Sequence, residues 1–165
     1  MYDFSPVHTG TKPELHAALT SAARAMVSGE LDGVANMANV AALIWQYLPD
    51  LNWAGFYRVR KDGKGGDVLV LGPFVGKPAC IRIPFGQGVC GAAAASGQTQ
   101  LVPDVHAFPG HIACDAASRS ELVVPVKRGG QVIAVIDLDS PKPARFDAAD
   151  AAGIEALAET IAAAI

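Results

Sequence analysis

The sequence lacks the features of exported, membrane-spanning and disulfide-rich proteins. It has only three cysteines in 165 residues, and its N-terminal segment, MYDFSPVHTG, has no basic start followed by an apolar run. No apolar stretch approaches the ~20 residues that a transmembrane helix needs. An odd number of cysteines also argues against a fully paired disulfide framework. We therefore expect a reduced, cytoplasmic protein that is neither exported nor bound to a membrane.

Basic residues are not concentrated in any part of the chain. Thirteen Lys and Arg residues stand against sixteen Asp and Glu residues, which gives a net charge of −3. No basic stripe is present that could follow a phosphate backbone, so we expect no nucleic-acid partner. Hydrophobic residues make up 51% of the sequence, which is enough for a single domain over residues 1–165 to bury a core.

Hydrophobic periodicity predicts an α+β fold with one central sheet. Helical spacing covers residues 11–27 and 32–49, and Val34 and Trp45 belong to the apolar positions of the second stretch. The other predicted elements are strands at residues 53–59, 67–71, 79–83, 121–126 and 132–138, and helices at residues 89–95 and after Asp147. Helices at both ends that enclose mainly antiparallel strands are typical of the α+β class.

The three cysteines, Cys80, Cys90 and Cys114, lie in one central window of the chain. The periodicity places Cys80 on a predicted strand and Cys90 near the start of a predicted helix. Cys114 falls in residues 103–118, where no period is sustained, and a loop of this length is usually functional or disordered. Free cysteine is often a small buried hydrophobe, but three cysteines in one window favour thiol chemistry.

Cys114 has local groups that can stabilise a thiolate, which is the reactive form of cysteine. His111 and Arg119 are close in sequence, and the backbone amides of the following turn can bind an anion. This turn consists of Asp115, Ala116, Ala117 and Ser118. A thiolate oxidised to sulfenic acid is condensed by a second thiol into a disulfide, and Cys80 and Cys90 are both available for that step. Each of these two cysteines also fits ordinary packing.

Asp137 and Asp139 end the most apolar run of the chain, and a period of two puts both side chains on one face of the strand. Two like charges held close together raise at least one pKa or require a cation, such as a substrate ammonium group. The alternative is a strand that simply emerges into solvent at this point.

The strand register decides whether Glu121 joins these two carboxylates. A two-residue turn at residues 129–130 places Leu122 opposite Asp137, so that Glu121 points to the other face. A longer turn or a bulge brings Glu121 opposite Asp137 instead. Since Pro125 cannot donate a ladder hydrogen bond, a bulge near it is reasonable.

Zinc ligands of acceptable type occur at Cys80, Cys90, His106, His111 and Cys114. Structural zinc sites generally use short ligand pairs such as Cys-x-x-Cys, and the sequence contains no such pair. We therefore expect no bound metal.

A set of short segments, which together include every cysteine, stands out along the chain. They are NWAGFY at residues 52–57, LGPF at 71–74, Cys80, FGQGVCG at 85–91, VPDVH at 102–106, FPGHIAC at 108–114, SE at 120–121 and DLDS at 137–140. As a set they resemble the free methionine-(R)-sulfoxide reductases, which are built on a single GAF domain. The resemblance runs over nearly the whole chain and shows no departure at the matching catalytic positions.

The resemblance implies a six-stranded antiparallel sheet with helices against one face and a closed pocket on the other. It implies that Cys114 attacks the sulfoxide sulfur, releases methionine and becomes a sulfenic acid. Cys80 is then the favoured resolving thiol, in a Cys80–Cys114 disulfide, with Cys90 as the alternative or as a recycling thiol. Thioredoxin or another dithiol is the implied reductant, and no bound cofactor is expected.

Three carboxyl groups suit this chemistry. Sulfoxide reduction places positive charge on sulfur and needs a proton on oxygen, so carboxyl groups with raised pKa values can serve as acid and as charge partner. The candidates are Glu121, Asp137 and Asp139, with Glu121 and Asp139 as candidate catalytic groups. One of the three is expected to meet the ammonium group of free methionine sulfoxide.

The rest of the substrate has candidate partners on a strand and in a turn. Trp53 and Tyr57 are four residues apart on a predicted strand, and their rings can contact the S-methyl group and the stem of the substrate from one face. The alternative for both residues is ordinary core packing. The backbone amides of Asp115, Ala116 and Ala117 can hold the substrate carboxylate. The sequence leaves open whether the chain forms a homodimer.

Two functions of other classes are kept as alternatives. A GAF domain can serve as a sensory module for a cyclic nucleotide or a small metabolite, and fold alone does not distinguish the two roles. The same cysteines can also belong to a redox or zinc sensor.

Overall fold

Helices pack on a six-stranded antiparallel sheet in this computed structural model, which describes residues 10–110 and 115–165. The helices are α1 (Lys12–Val27), α2 (Gly33–Tyr47), α3 (Gly88–Ser96) and α4 (Ala148–Ile161), with a short 3-10 helix at Val105–Ala107. The strands are β1 (Trp53–Lys61), β2 (Asp67–Gly76), β3 (Arg82–Pro84), β4 (Gln100–Val102), β5 (Ser120–Arg128) and β6 (Gln131–Ser140). Their order across the sheet is β3-β2-β1-β6-β5-β4, with antiparallel neighbours throughout. The predicted α+β fold is confirmed, and β4 is a strand that the sequence patterns did not predict.

Polar side chains cap the N-terminal ends of α1, α2 and α4. At the start of α1 the Thr11 amide donates to Glu14 Oε2 at 2.7 Å, as in a capping box. The carboxylates of Asp32 and Asp147 accept hydrogen bonds from backbone amides of the first turns of α2 and α4. None of the helices in the described part of the chain combines the length and the apolar character that a membrane span requires.

The sheet separates two hydrophobic cores. Along β1 the side chains of Ala54 and Phe56 pack in the core formed with α1, α2 and α4. The side chains of Trp53 and Tyr57 point to the other face and pack in a second core with α3. This alternation is the period of two expected of a strand buried on both faces. The predicted packing of the N- and C-terminal helices on one face is therefore confirmed.

A β-bulge interrupts the ladder between β5 and β6. The two strands are joined at residues 129–130, and both glycines have positive φ, of 58° and 82°, as a tight hairpin turn requires. The register then shifts by one residue between Val126 and Lys127. Such a bulge places an extra residue on one strand and turns every later side chain to the other face.

This shift brings the three carboxyl groups to one face of the sheet. Glu121 lies opposite Asp139, and Asp137 lies two residues before Asp139 on the same strand. The bulge alternative is therefore the correct one. The bulge lies after Pro125 in the chain, and the direct partner of Glu121 is Asp139, not Asp137 as predicted.

The strand predicted over residues 79–83 is largely wrong, because β3 begins only at Arg82. Cys80 lies in the connection that precedes β3 and is not on a strand. Pro78 in this connection has no amide hydrogen for a ladder bond, and β2 extends to Gly76, so little chain is left for a longer β3.

The apolar face predicted for the second helix is correct at Met37, Ala41 and Leu48, which are buried, and wrong at other positions. Val34 and Trp45 are 48% and 39% exposed, whereas Val40 and Ile44 are fully buried. No charged residue occurs in α2, so its hydrophobic pattern fits more than one face and packing against β1 and β2 selects the face that is buried.

Candidate active site

The pocket lies on the face of the sheet opposite the three long helices. In one row across the strands, Trp53 of β1 is opposite Asp139 of β6, which is opposite Glu121 of β5. In the next row Gly55 is opposite Asp137. A cavity of about 40 Å³ lies between this face, the start of α3 and the connection that follows β2.

Burial raises the pKa values of the carboxyl cluster, which consists of Glu121, Asp137 and Asp139. Glu121 and Asp137 are each 6% exposed, and Asp139 is partly buried. Burial, followed by the charges of Asp137 and Asp139, raises the pKa of Glu121 well above its usual value. Burial and the charge of Asp137 raise the pKa of Asp139 in the same way.

Asp137 is held by two hydrogen bonds that favour its ionised form. Burial raises its pKa to about 6, although hydrogen bonds from Cys90 and Glu121 act to lower it. Its Oδ1 atom is buried and has no hydrogen-bond partner among the described residues. At neutral pH the cluster can therefore hold a proton on one carboxyl group and a negative charge on another, which is what an acid and a charge partner require.

Cys90 lies in the first turn of α3, close to this cluster. It is a free thiol, 4% exposed. Burial, followed by the charges of Asp137 and Glu121, raises the pKa of Cys90 well above its usual value. Cys90 is therefore a protonated thiol at neutral pH, which is the opposite of an activated nucleophile.

Of the other two cysteines, Cys80 is among the described residues and Cys114 is not. Cys80 is disulfide-bonded and packs at the edge of the core on the pocket side. Cys114 and His111 lie outside the described residues, so the predictions that rest on their positions stay predictions. Arg119 is exposed and is not among the described residues that line the cavity.

An aromatic wall closes one side of the pocket. Trp53 stacks on Tyr57 with ring centroids 5.8 Å apart and on Phe74 at 5.2 Å. Both Trp53 and Tyr57 line the cavity and are buried in the core on this face, and their contact with a substrate stays a prediction. The Trp53 Nε1–H group donates to the backbone carbonyl of Lys77 at 3.1 Å, which fixes the plane of the indole.

Asp115 is held at the mouth of the pocket by three donors. Its carboxylate accepts hydrogen bonds from the Ala117 amide at 2.9 Å and from Asn52 Nδ2 and Lys77 Nζ at 3.2 Å each. The Ala117 amide, followed by Lys77, lowers the pKa of Asp115 below its usual value. Asp115 therefore carries a negative charge at the rim of the cavity.

The backbone amides of Asp115, Ala116 and Ala117 are the predicted binding site of the substrate carboxylate. Asp115 lines the cavity, whereas Ala116 and Ala117 are exposed. In this state the amides of Ala117 and Ser118 donate within the turn, to the side chain and the carbonyl of Asp115. A substrate carboxylate bound by these amides would have to replace those bonds, and the assignment stays a prediction.

Sequence reasoning missed three residues that organise the site. Lys77 and Asn52 hold Asp115, and Gly55 leaves the space that Trp53 and Phe74 occupy. Asn52 and Gly55 belong to the NWAGFY segment, which is the one signal in the sequence that singles them out. Lys77 carries no such signal, because its partner is 38 residues away in the chain.

The side chains that could bind a metal in the structure differ from the cysteines and histidines that the sequence offered as zinc ligands. Cys90 Sγ and one carboxyl oxygen each of Glu121 and Asp137 lie within 4.8 Å of one another. Within the described ranges, Cys90 is the one member of the sequence-based set that belongs to this group.

Comparison with known proteins identifies relatives over almost the full length of the chain. The GAF domain family matches residues 34–165. Protein ZMO0507 of Zymomonas mobilis is 51% identical over 162 residues, which is 98% of this chain and 97% of that protein. The free methionine-R-sulfoxide reductase of Escherichia coli is 49% identical over 146 residues, which is 88% of this chain and 86% of that protein.

A solved structure with a bound substrate is also closely similar. The free methionine-R-sulfoxide reductase of Neisseria meningitidis in complex with its substrate superimposes with a TM-score of 0.87 and is 43% identical. The match covers 94% of this chain and 90% of that one. The fold and the sequence therefore agree on the same relatives.

Proposed function

Because the chain belongs to the free methionine-R-sulfoxide reductases, a family built on the GAF domain, we propose that it reduces free methionine-(R)-sulfoxide to methionine. The observation that carries this proposal is the buried cluster of Glu121, Asp137 and Asp139, which faces a pocket with an aromatic wall. Such a cluster supplies a proton and a negative charge side by side, and reduction of a sulfoxide that carries an ammonium group uses both.

In the proposed reaction the Cys114 thiolate attacks the sulfoxide sulfur. The oxygen moves from the substrate sulfur to the cysteine sulfur, so that methionine leaves and Cys114 becomes a sulfenic acid. The substrate sulfur is reduced by two electrons and the cysteine sulfur is oxidised by two. A carboxylic acid of the cluster protonates the oxygen as the bond to the substrate sulfur breaks.

Cys80 is the proposed resolving thiol. It attacks the sulfenic acid, forms a Cys80–Cys114 disulfide and releases water. The disulfide-bonded state of Cys80 and the free, protonated state of Cys90 support this choice over Cys90. Thioredoxin or another dithiol then supplies two electrons and two protons and restores both thiols. No resident cofactor takes part.

The proposed orientation of the substrate follows from the polar atoms of the pocket. The Oδ1 atom of Asp137, which has no hydrogen-bond partner among the described residues, accepts a hydrogen bond from the substrate ammonium group. Trp53 and Tyr57, which line the pocket, contact the S-methyl group and the stem of the substrate. A methionine sulfoxide residue inside a protein has no ammonium group, so it would leave Asp137 unpaired and is expected to be a poor substrate.

The test is a comparison of three substrates with the reduced enzyme and a dithiol. We expect turnover of free methionine-(R)-sulfoxide and little or none of the free S form or of a peptide-bound R form. Cys114→Ser is expected to abolish turnover, and full activity in this variant would rule out Cys114 as the nucleophile. Specific ligand binding without turnover would instead favour a sensory GAF domain.

A single-turnover experiment without reductant separates the two candidate resolving thiols. Mass spectrometry is expected to find Cys80 and Cys114 in one disulfide and Cys90 as a free thiol. A disulfide that contains Cys90 would overturn the assignment of Cys80.

A further inference from the structure

Three side chains with metal-binding atoms converge beside the pocket from three different elements. Cys90 comes from the first turn of α3, Glu121 from β5 and Asp137 from β6. One ligand atom of each lies within 4.8 Å of the other two. The donor atoms of a tetrahedral zinc ion, with bonds of about 2.0–2.3 Å, lie about 3.5 Å apart, so small side-chain rotations would bring these three to that spacing.

One oxygen of the Asp137 carboxyl group is available to a cation. The one basic residue among the described residues that line the cavity is Lys77, and it is paired with Asp115 at 3.1 Å. Asp137 is 6% exposed, and its buried Oδ1 atom has no hydrogen-bond partner within the described ranges. A buried carboxyl oxygen without a partner is costly, and a cation bound there would remove that cost.

We propose that Cys90, Glu121 and Asp137 form a binding site for a thiophilic divalent cation, with Zn²⁺ as the probe. Binding replaces the thiol proton of Cys90 and any carboxyl protons with the metal, and the protons pass to solvent. The pocket side of the ion is left for water or another small ligand, as in zinc sites with three protein ligands.

The donor set determines which cations the site prefers. One sulfur and two carboxyl oxygens suit Zn²⁺, whereas Mg²⁺ and Ca²⁺ prefer oxygen ligands alone and in larger number. The ion would occupy the place that the substrate ammonium takes in the proposed function, and this consequence rests on that function. Zinc is then an inhibitor that competes with substrate.

The experiment is a zinc titration of a Cys80→Ser/Cys114→Ser double variant, with a chromophoric chelator as competitor. Cys90 is the single thiol left in this protein, so binding through the other two cysteines is excluded. We expect one Zn²⁺ per chain and no comparable binding of Mg²⁺ or Ca²⁺. Changing a residue that only hydrogen-bonds a metal ligand lowers metal affinity by roughly 10–100-fold. Cys90 is itself a proposed ligand, so we expect Cys90→Ser in this background to weaken zinc binding at least about tenfold.

Two further variants make the result decisive. Asp137→Asn keeps the shape of the side chain and is also expected to weaken zinc binding about tenfold or more, whereas Glu159→Gln, at an exposed carboxyl group, is expected to leave it unchanged. Circular dichroism checks that each variant is folded. Absence of stoichiometric zinc binding, or unchanged affinity in both Cys90→Ser and Asp137→Asn, would overturn the proposal.

Competition with substrate separates this proposal from the proposed function. Free methionine-(R)-sulfoxide is expected to weaken zinc binding in the double variant, because both ligands use Asp137. If zinc binds as expected but the sulfoxide does not compete, the metal site is supported and the proposed placement of the substrate is wrong. If the wild-type chain turns over the sulfoxide but zinc neither binds nor inhibits, the proposed metal site is wrong and the proposed function is unaffected.

Discussion

The two oxygens of the Asp137 carboxyl group have different surroundings, and this difference bears on the roles proposed for Asp137 and Glu121. The carboxyl group accepts hydrogen bonds from Cys90 and Glu121, while its Oδ1 atom is buried without a partner in the described part of the chain. Glu121, with a pKa well above its usual value, is the proton donor of this pair. In the proposed reaction Asp137 is therefore the charge partner and Glu121 the acid.

Two conservative variants are expected to separate these roles. Asp137→Asn removes the charge that meets the ammonium group, and we expect KM for the free sulfoxide to rise at least about tenfold, with a smaller loss in kcat. Glu121→Gln cannot donate a proton, and we expect kcat to fall about 10²–10⁴-fold. Steady-state kinetics with free methionine-(R)-sulfoxide measure both, with Glu159→Gln as the control. The reverse pattern would exchange the two roles.

Gly55 supports the aromatic wall by having no side chain. A Cβ atom at this position would lie 2.4 Å from Phe74 Cβ and 2.8 Å from the Trp53 ring. We expect Gly55→Ala to destabilise the fold by about 1–3 kcal/mol in urea unfolding, and to lower kcat/KM because Trp53 or Phe74 must move. The control is Gly66→Ala in the exposed hairpin, where the nearest atom is the flexible end of Asp62. Equal effects of the two substitutions would contradict this account.

At the scale of the elements, the hairpin of β5 and β6 shows how far sequence patterns reach. The alternation of apolar residues predicted both strands, and the glycine pair predicted the turn. The bulge between Val126 and Lys127 left no local signal strong enough to place it, because its position depends on how the helices and the pocket share the two faces. Sequence reasoning therefore kept two registers open, and only tertiary packing decides whether Glu121 reaches the pocket.

The start of α4 is tied to α1 by a buried charge. Asp150 is 1% exposed and contacts His16 Nε2 at 3.0 Å and Arg145 at 3.2 Å, and Lys12 is also paired with it. Burial alone would raise the pKa of Asp150, but hydrogen bonds from His16 and Lys12 hold it far below its usual value. Gly153 allows the close approach, since a Cβ atom there would lie 2.2 Å from His16 Cγ.

We expect Asp150→Asn to destabilise the protein by roughly 3 kcal/mol, because it leaves the largely buried Arg145 guanidinium and the buried His16 ring without the carboxylate that they contact. The matched control is Asp147→Asn at the same helix start. Its side chain is 56% exposed and asparagine is an equally good helix cap, so we expect a change below about 1 kcal/mol. Urea unfolding of both variants provides the comparison. A loss in Asp147→Asn as large as that in Asp150→Asn would show that burial of the charge is not the cause.

At the scale of the whole molecule, contacts between distant segments were the part that sequence could not supply. The aromatic pair at Trp53 and Tyr57 follows from strand spacing, so it could be predicted. The contact of Lys77 with Asp115 joins a loop after β2 to a turn before β5, and nothing in either segment marks the other. Side chains within one element follow local periodicity, whereas contacts between loops follow from the topology that brings those loops together.

Two sets of carboxyl groups with opposite pKa shifts act on the stability of the whole molecule. The pKa of Asp137 is raised to about 6 by burial, while an unfolded aspartate has a pKa of about 4. Between these values the folded state holds a proton that the unfolded state has lost, so stability falls as pH rises through this window. The lowered pKa of Asp150 acts in the other direction, and its contribution is present above about pH 4 and lost below it.

The protein is therefore expected to be most stable near pH 4–5 and to lose stability toward neutral pH. Asp137→Asn removes the buried charge, so we expect this variant to be more stable than the parent by on the order of 2 kcal/mol at pH 8, with little difference near pH 4. Urea unfolding from pH 4 to pH 8, with both proteins held in the same redox state, measures the difference. The gain in stability is expected to accompany the rise in KM, because the negative charge of a buried carboxylate in the pocket benefits substrate binding and not the fold. A difference that stays constant with pH would mean that Asp137 does not titrate in this window and that the cluster holds its negative charge on another carboxyl group.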